Sequence, residues 1–284
     1  MKSEVRKRPA LFRALGNDEP PHEVSIGGEP YRLETVYKHD SWAATAVYAN
    51  GSNERAICKF NRRQPIFVVP MGWLGRRLAS READFLNKLS DVDLVPRGLG
   101  AVSADGTALP NAMARRYIEG TAFRFPDQVD EDFFLDLRKT LDEIHAHDIA
   151  YVDLHKRENI LIGEDGRPYL LDFQVSYGLR HGRLVGPLSR FFLKQMQEMD
   201  DYTYSKHLAK CCPQLMTDED RDRYARRTAV VRLHRKLAKP FKYLRLKLLI
   251  ALGIRDASGR VESEFEPEIA FRARGADDGV ERRN

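Results

Sequence analysis

Two short apolar runs, 160–162 and 169–171, joined by Gly163, Glu164, Asp165 and Gly166, constrain this chain more than any other feature. A Gly- and Asp-rich turn between two such runs makes a small hairpin, because those residues accept the backbone angles that reverse a chain. Asp153 and Asn159 stand just before the first run, and Asp172 directly follows the second. All three can therefore project from one end of the hairpin, which places two carboxylates and an amide together. The plainer alternative is a polar hairpin in which Asp153 and Asn159 serve only as turn residues.

Such a cluster suits phosphoryl transfer, since oxygen ligands hold Mg²⁺ on a nucleotide while a separate carboxylate orients the attacking hydroxyl. The stretch resembles the protein-kinase catalytic loop, His-Arg-Asp-Leu-x-x-x-Asn followed by Asp-Phe-Gly. Ile144, His145, Ala146, His147, Asp148 and Ile149 echo the Leu-His-x-His-Gly-Ile that precedes that loop. The wording Asp-Leu-His and Asp-Phe-Gln is most similar to bacterial lipopolysaccharide core kinases (Kdo and heptose kinases) and RIO-like kinases. The resemblance implies ATP and Mg²⁺ as cofactors, Asp153 as catalytic base, and Asn159 and Asp172 as metal ligands. Tyr151 and Val152 depart from the His and Arg of the loop, Gln174 from the Gly, and the span from Asp153 to Asn159 is one residue longer than usual. That extra residue leaves His155 and Lys156 competing for the position that contacts the γ-phosphate.

Upstream, runs at 31–37, 43–49 and 54–60 alternate as strands, the last two joined through Asn50, Gly51, Ser52 and Asn53. Lys59 closes Ala56-Ile57-Cys58-Lys59, which resembles the kinase strand whose Lys holds the α- and β-phosphates. The turn before Ala43, where a glycine-rich phosphate loop belongs, contains no glycine; the hydroxyls of Ser41 and Thr45 are the expected substitutes for close-approaching amides. A helix is expected over 78–89, with Phe85, Leu86 and Leu89 on its apolar stripe; its resemblance to the kinase helix whose Glu pairs with the strand Lys implies a Glu82–Lys59 pair, Asp84 being the fallback. Between them, 62–77 brackets an apolar run with Pro65 and Pro70. It reads as a loop on the small lobe or as a greasy lid facing a lipid-like acceptor.

Strands at 99–102 and 112–118, joined across Asp105 and Gly106, lead to a hinge at 117–120, where Tyr117 and Ile118 would border adenine. A helix over 133–147 delivers the catalytic loop. After Asp172 there is no Ala-Pro-Glu and no long activation segment, and helical sequence resumes near Pro187. The peptide platform of protein kinases is thereby missing, and Val152 removes the Arg that reads an activation-loop phosphate.

The expected fold class is α+β: a protein-kinase-like bilobal fold with a small antiparallel-sheet N-lobe over 31–118 and a helical C-lobe over 119–255, flanked by a flexible segment 1–30 and a mobile tail 256–284. Three cysteines, Cys58, Cys211 and Cys212, have neither disulfide-framework nor zinc spacing, which fits a reducing cytosol, with the adjacent pair packing at a helix end. The N-terminal residues hold no continuous apolar core for a secretory signal, and the run 248–254 is too short to span a bilayer. Between 221 and 247, eleven Lys or Arg face one Asp, more than the whole chain's net charge of +5. Interleaved with Phe241, Tyr243, Leu244 and Leu246, this segment suits an anionic membrane surface or a glycolipid, or else a basic helix partly packed on the large lobe. Nucleic acid is not an expected partner, a basic patch alone being only an electrostatic footprint.

The expected activity is ATP-dependent transfer to a hydroxyl, with a sugar of lipopolysaccharide core as acceptor, in the cytoplasm or at the inner face of the inner membrane. Two alternatives stand beside it: an atypical serine/threonine protein kinase, and a nucleotide-binding pseudokinase that acts as an interaction module.

Overall fold

The computed structural model describes residues 9–124, 129–180 and 185–225. The alternating runs form strands β1 (Glu23–Ile26), β2 (Glu29–His39), β3 (Ala43–Asn50) and β4 (Arg55–Asn61), followed by helix α1 (Gly72–Lys88). Short strands β5 (Gly98–Gly100), β6 (Val102–Ala104), β7 (Thr107–Ala108) and β8 (Ala112–Arg116) complete one eight-stranded sheet, whose order is β5-β8-β4-β3-β2-β1-β6-β7. Every pairing in it is antiparallel. Two register shifts bend β2 against β3, which curls the sheet.

Beyond it lie β9 (Gly120–Ala122), helix α2 (Glu131–Ala146), β10 (Ile149–Ala150), the hairpin β11 (Ile160–Gly163) and β12 (Pro168–Leu170), then β13 (Tyr177–Gly178), α3 (Val185–Cys211) and α4 (Asp218–Ala225). The fold is the expected α+β arrangement: a curled antiparallel sheet on one side and a largely helical body on the other. Each side has its own core. Leu15, Val24, Tyr48, Phe60 and Val102 fill the sheet side, while Phe123, Phe133, Phe134, Leu141, Phe173 and Tyr204 fill the helical side. α1 straddles both, since Phe85 and Leu86 belong to the helical core while the helix also packs on β4 and β8.

Three local expectations are corrected. Part of the segment 1–30 is woven into the sheet: β1 pairs with both β2 and β6, and the Ala14 carbonyl accepts from Arg63 N at 2.9 Å and Gln64 N at 3.0 Å. The reason is Arg62, buried among carbonyls, whose guanidinium donates to Leu11 O at 2.9 Å, Ser41 O at 2.6 Å and Pro65 O at 3.1 Å. Second, α1 starts at Gly72, shortly after Pro70, so the end of the expected loop, 72–77, is helix. Gly75 makes the close approach possible, because a Cβ there would lie 2.2 Å from the Arg62 carbonyl oxygen. Third, Asp105 and Gly106, both at positive φ, close the ribbon β6–β7, whereas β8 pairs with β4 and β5.

α2 begins two residues earlier than expected because Asp130 caps it, its carboxylate accepting from Phe133 N at 2.9 Å. α3 ends at Cys211; the three cysteines are free, with Cys58 and Cys212 buried. Among the described residues no helix is long and apolar enough to cross a membrane. The basic segment beyond residue 225 and the tail 256–284 lie outside the described residues.

His207 on α3 couples this packing to pH. Its Nε2–H donates to Leu154 O at 3.0 Å, and its ring meets Phe123 edge-on. Burial, then the charges of Lys206, Arg157 and Lys210, lower its pKa to about 4. The unfolded chain therefore takes up this proton first: the stabilisation is complete above the ordinary value of 6.5 and is lost as pH falls toward 4. Roughly 2 kcal/mol should disappear between pH 7 and pH 5. Urea midpoints at the two pH values should show that loss in wild type and a flatter dependence in His207→Gln; identical slopes would refute it.

Candidate active site

Lys59 stands in the middle of the sheet, opposite Thr45 of β3 and Met113 of β8. Its ammonium reaches Glu82 Oε2 on α1 at 3.1 Å and Asp172 Oδ1, directly after β12, at 2.8 Å. The expected pair is thus present, and it is a triad. Glu82 is 2 % exposed because α1 carries it inward beside Phe85 and Leu86. Burial alone would depress the Lys59 ammonium, but Glu82 and Asp172 outweigh it and hold the group above its ordinary value. Burial raises the Glu82 carboxyl, since Lys59 divides its charge between two acids. Asp172 is lowered: its burial is overcome by Lys59, then Lys156, then the Gln174 amide. Asp84, the fallback, is exposed and points elsewhere, toward a groove behind α1.

Asp153 is buried, and its Oδ2 accepts from Lys156 Nζ at 2.7 Å and Asn159 Nδ2 at 2.9 Å. His155 approaches Oδ1 only to 3.6 Å and is largely exposed. Of the two residues left open by the longer spacing, Lys156 is the one inside the cleft. That cleft, about 420 Å³, is lined by Thr45, Lys59, Glu82, Asp153, Lys156, Asn159 and Asp172 among others. A neighbouring pocket of about 250 Å³ shares Ile57, Arg115 and Leu171 with it and adds Tyr37, Tyr117 and Ile118. This second pocket mixes apolar and aromatic side chains with the charged groups of Arg55, Arg115, Glu119 and Glu164. A wider concavity of about 630 Å³ shares Tyr117 and Ile118 with that pocket and is also lined by Asp91, Asp93 and Arg97, but it contains none of Lys59, Glu82, Asp153, Lys156 or Asp172.

The glycine-free turn behaves differently from expectation. Ser41 Oγ donates to Phe12 O at 3.2 Å and does not line the cleft, because the N-terminal segment passes beside it. Asp40 accepts from the amides of Trp42 at 2.7 Å and Ala43 at 2.9 Å, and pairs with Lys38 at 2.7 Å. These are amides that a phosphate loop would direct at its ligand. In this protein they are engaged by a carboxylate, and the cleft below them is lined instead by Thr45, Lys59 and Lys156.

Asn159 and Asp172 offer hard oxygens to the same cleft, and Asn159 spends only its Nδ2 on Asp153. Among the described residues no group of three or more His, Cys, Asp or Glu forms a cage for a metal by itself. That donor set would fit Mg²⁺ if nucleotide phosphates supplied its remaining ligands.

Two contributors escaped the sequence. Asp200, buried on α3, accepts from Tyr151 N at 2.7 Å and Val152 N at 2.8 Å, clamping the backbone immediately before Asp153. Val152 sits at φ +71°, a left-handed conformation costing a β-branched residue about 1–3 kcal/mol, and the clamp holds it there. The Tyr151 hydroxyl donates to Leu171 O, and Ser176 Oγ donates to Tyr151 O at 3.1 Å. Tyr151, where the family pattern has His, thus ties the loop to the strand end that presents Asp172. In the sequence Asp200 stands among other acids of α3, Glu198 and Asp201, and nothing there names its partner 48 residues away.

No family model matches the chain, and no curated protein matches its sequence. Among solved structures it is similar to the Rio2 kinase of Chaetomium thermophilum. The ADP/Mg²⁺–phosphoaspartate complex of that kinase aligns at 14 % identity and TM-score 0.45, over 68 % of this chain and 57 % of that one. A second Rio2 structure from the same organism aligns at 14 % identity and TM-score 0.46, over 68 % and 59 %. The match thus spans less than three fifths of either Rio2 chain. The chain itself has an α+β fold, with Lys59, Glu82 and Asp172 meeting between its sheet and its helical body.

Proposed function

We propose that this chain is an ATP-dependent phosphotransferase acting on a hydroxyl. The observation that carries the reading is the convergence of Lys59, Glu82 and Asp172 with Asp153, Lys156 and Asn159 on one cleft that adjoins a pocket lined by Tyr37, Tyr117 and Ile118. Lys59, positioned by Glu82, would bind the nucleotide phosphates, and Lys156 would neutralise charge at the transferred group. Asp172 and Asn159 would hold Mg²⁺, which supplies electrostatic stabilisation of the phosphates. Asp153 would accept the hydroxyl proton and orient the attacking oxygen, with Lys156 and Asn159 fixing its Oδ2 and leaving Oδ1 nearest the acceptor. Catalysis of this kind rests on positioning and charge rather than on a covalent intermediate.

For the acceptor we favour the sugar of an amphiphile, of the kind found in lipopolysaccharide core, handled at the cytoplasmic face of a membrane. Support comes from the 62–77 insert. Ile66 and Val69 bridge through reciprocal backbone bonds of 3.0 Å, and the turn between them exposes Phe67 by 78 % and Val68 by 93 %, with Trp73 also exposed. Exposed apolar tips of this size suit contact with acyl chains, and no acidic residue lies between 63 and 77. A second reading, a nucleotide-binding pseudokinase, draws on Asp40 occupying the amides of the phosphate turn.

Radiolabelled MgATP incubated with the protein and a cell-envelope fraction, a generic protein substrate, or no acceptor separates these. Label in envelope glycolipid is the expected result. Label in the protein substrate would make the chain an atypical protein kinase, and nucleotide binding without any transfer would make it a pseudokinase.

A further inference from the structure

α1 has a second functional face. Behind Glu82, a groove of about 310 Å³ runs between this helix and the segment that follows the cleft, with Arg77, Arg81 and Lys88 on one wall and Tyr177, Gly178 and Arg180 on the other. Arg81 is aimed rather than mobile: its Nε donates to Gln174 O at 3.0 Å, a second nitrogen donates to Ser176 O, and its plane lies over the Phe85 ring with Cζ 5.2 Å from the centroid. Gly178 keeps the two walls together, because a Cβ there would come within 3.1 Å of that same ring.

The charges in the groove are unbalanced. Among the described residues no ion pair engages Arg77, Lys88 or Arg180, and the one acid on the lining, Asp84, pairs with none of them. Burial, and then the charges of Arg180 and Arg77, hold the Arg81 guanidinium below its ordinary value. Several cations that repel one another across a cavity, one of them fixed by two carbonyls and an aromatic face, form a site that an anion of charge near −2 relieves. Guanidinium forks match phosphate oxygens better than they match a monovalent halide.

We propose that this groove binds a phosphate dianion, either free inorganic phosphate or the phosphoryl group of a phosphomonoester. Such an anion would bridge α1 to residues 177–180 from the side opposite the cleft. The assignment does not depend on nucleotide binding, since none of the groove's charged residues lines the cleft.

The test is thermal unfolding of the full chain in inorganic phosphate and in chloride at equal ionic strength. At a phosphate concentration roughly tenfold above the dissociation constant, Tm should rise by about 2–4 °C over chloride. Arg77→Gln/Arg180→Gln should abolish that rise while unfolding in chloride no lower than wild type, because a repulsion has been removed. Arg76→Gln/Arg97→Gln, which removes the same charge outside the groove, should retain the rise. Glycerol phosphate in place of phosphate separates the sources: a larger rise assigns the groove to a phosphoryl group carried on another molecule, and a smaller one to the free anion. A rise that persists in the groove variant places the anion elsewhere and overturns the proposal, as does a wild type that cannot tell phosphate from chloride.

Discussion

Asp153→Asn is expected to lower turnover by roughly two to four orders of magnitude while nucleotide affinity changes little, the usual share of a positioned base. The substitution keeps the shape and one acceptor oxygen, so Asn159 and the loop stay in place. It removes the ability to take a proton and the anion that holds Lys156 at 2.7 Å. In free-energy terms the loss is about 3–5 kcal/mol of transition-state stabilisation. Because the loop is clamped by Asp200 through two backbone amides and by Tyr151 through its hydroxyl, the variant should unfold at the wild-type temperature. Single-turnover transfer and calorimetric binding of MgADP, measured side by side, check both halves. A fully active variant would remove Asp153 from the mechanism, and a variant that also fails to bind nucleotide would make it a structural residue.

Lys59→Met should abolish transfer and also cost roughly 3–5 kcal/mol of stability, the range found when one partner of a buried ion pair is deleted. Glu82 is left buried without its ion-pair partner, only the charge of Arg115 still favouring its ionised form, and its carboxyl, already raised by burial, is driven further toward the neutral form. Adding Glu82→Gln should restore part of the lost stability, because the stranded carboxylate is gone, whereas transfer should not return. The coupling in the double-mutant cycle should reach about 1–3 kcal/mol. Additivity within about 0.5 kcal/mol would mean that the 3.1 Å contact carries no energy and that the pair is incidental. Asp172→Asn provides the comparison: it should lose Mg²⁺-dependent nucleotide binding while the Lys59–Glu82 pair is retained.

The two site segments were legible for different reasons. The hairpin that presents Asp153, Asn159 and Asp172 is local: two apolar runs, one turn, and polar residues at fixed offsets, all within 20 residues. Lys59 and Glu82 come from distant elements; each lies on an element with a plain period, so strand and helix face could be read separately, and the resemblance to kinases joined them. The turn before Ala43 failed as a reading because its chemistry is decided by neighbours. Ser41 is drawn to Phe12 O by a segment expected to lie free, and Asp40, unremarkable in sequence, takes the amides.

By itself the sequence determined the order of strands and helices through the cleft, the α+β class, and the residues available for phosphate, metal and proton. Periodicity and turn chemistry act within a few residues of each other, so they survive without any fold. Only the tertiary structure decided that Lys156 rather than His155 enters the cleft, that Asp200 holds Val152 in a strained backbone, that residues 9–30 brace the sheet through Arg62, and that four cations are left facing one groove behind α1. Each of these depends on long-range packing: a buried carboxylate or guanidinium must find partners wherever the chain happens to supply them, and no local pattern records where that will be.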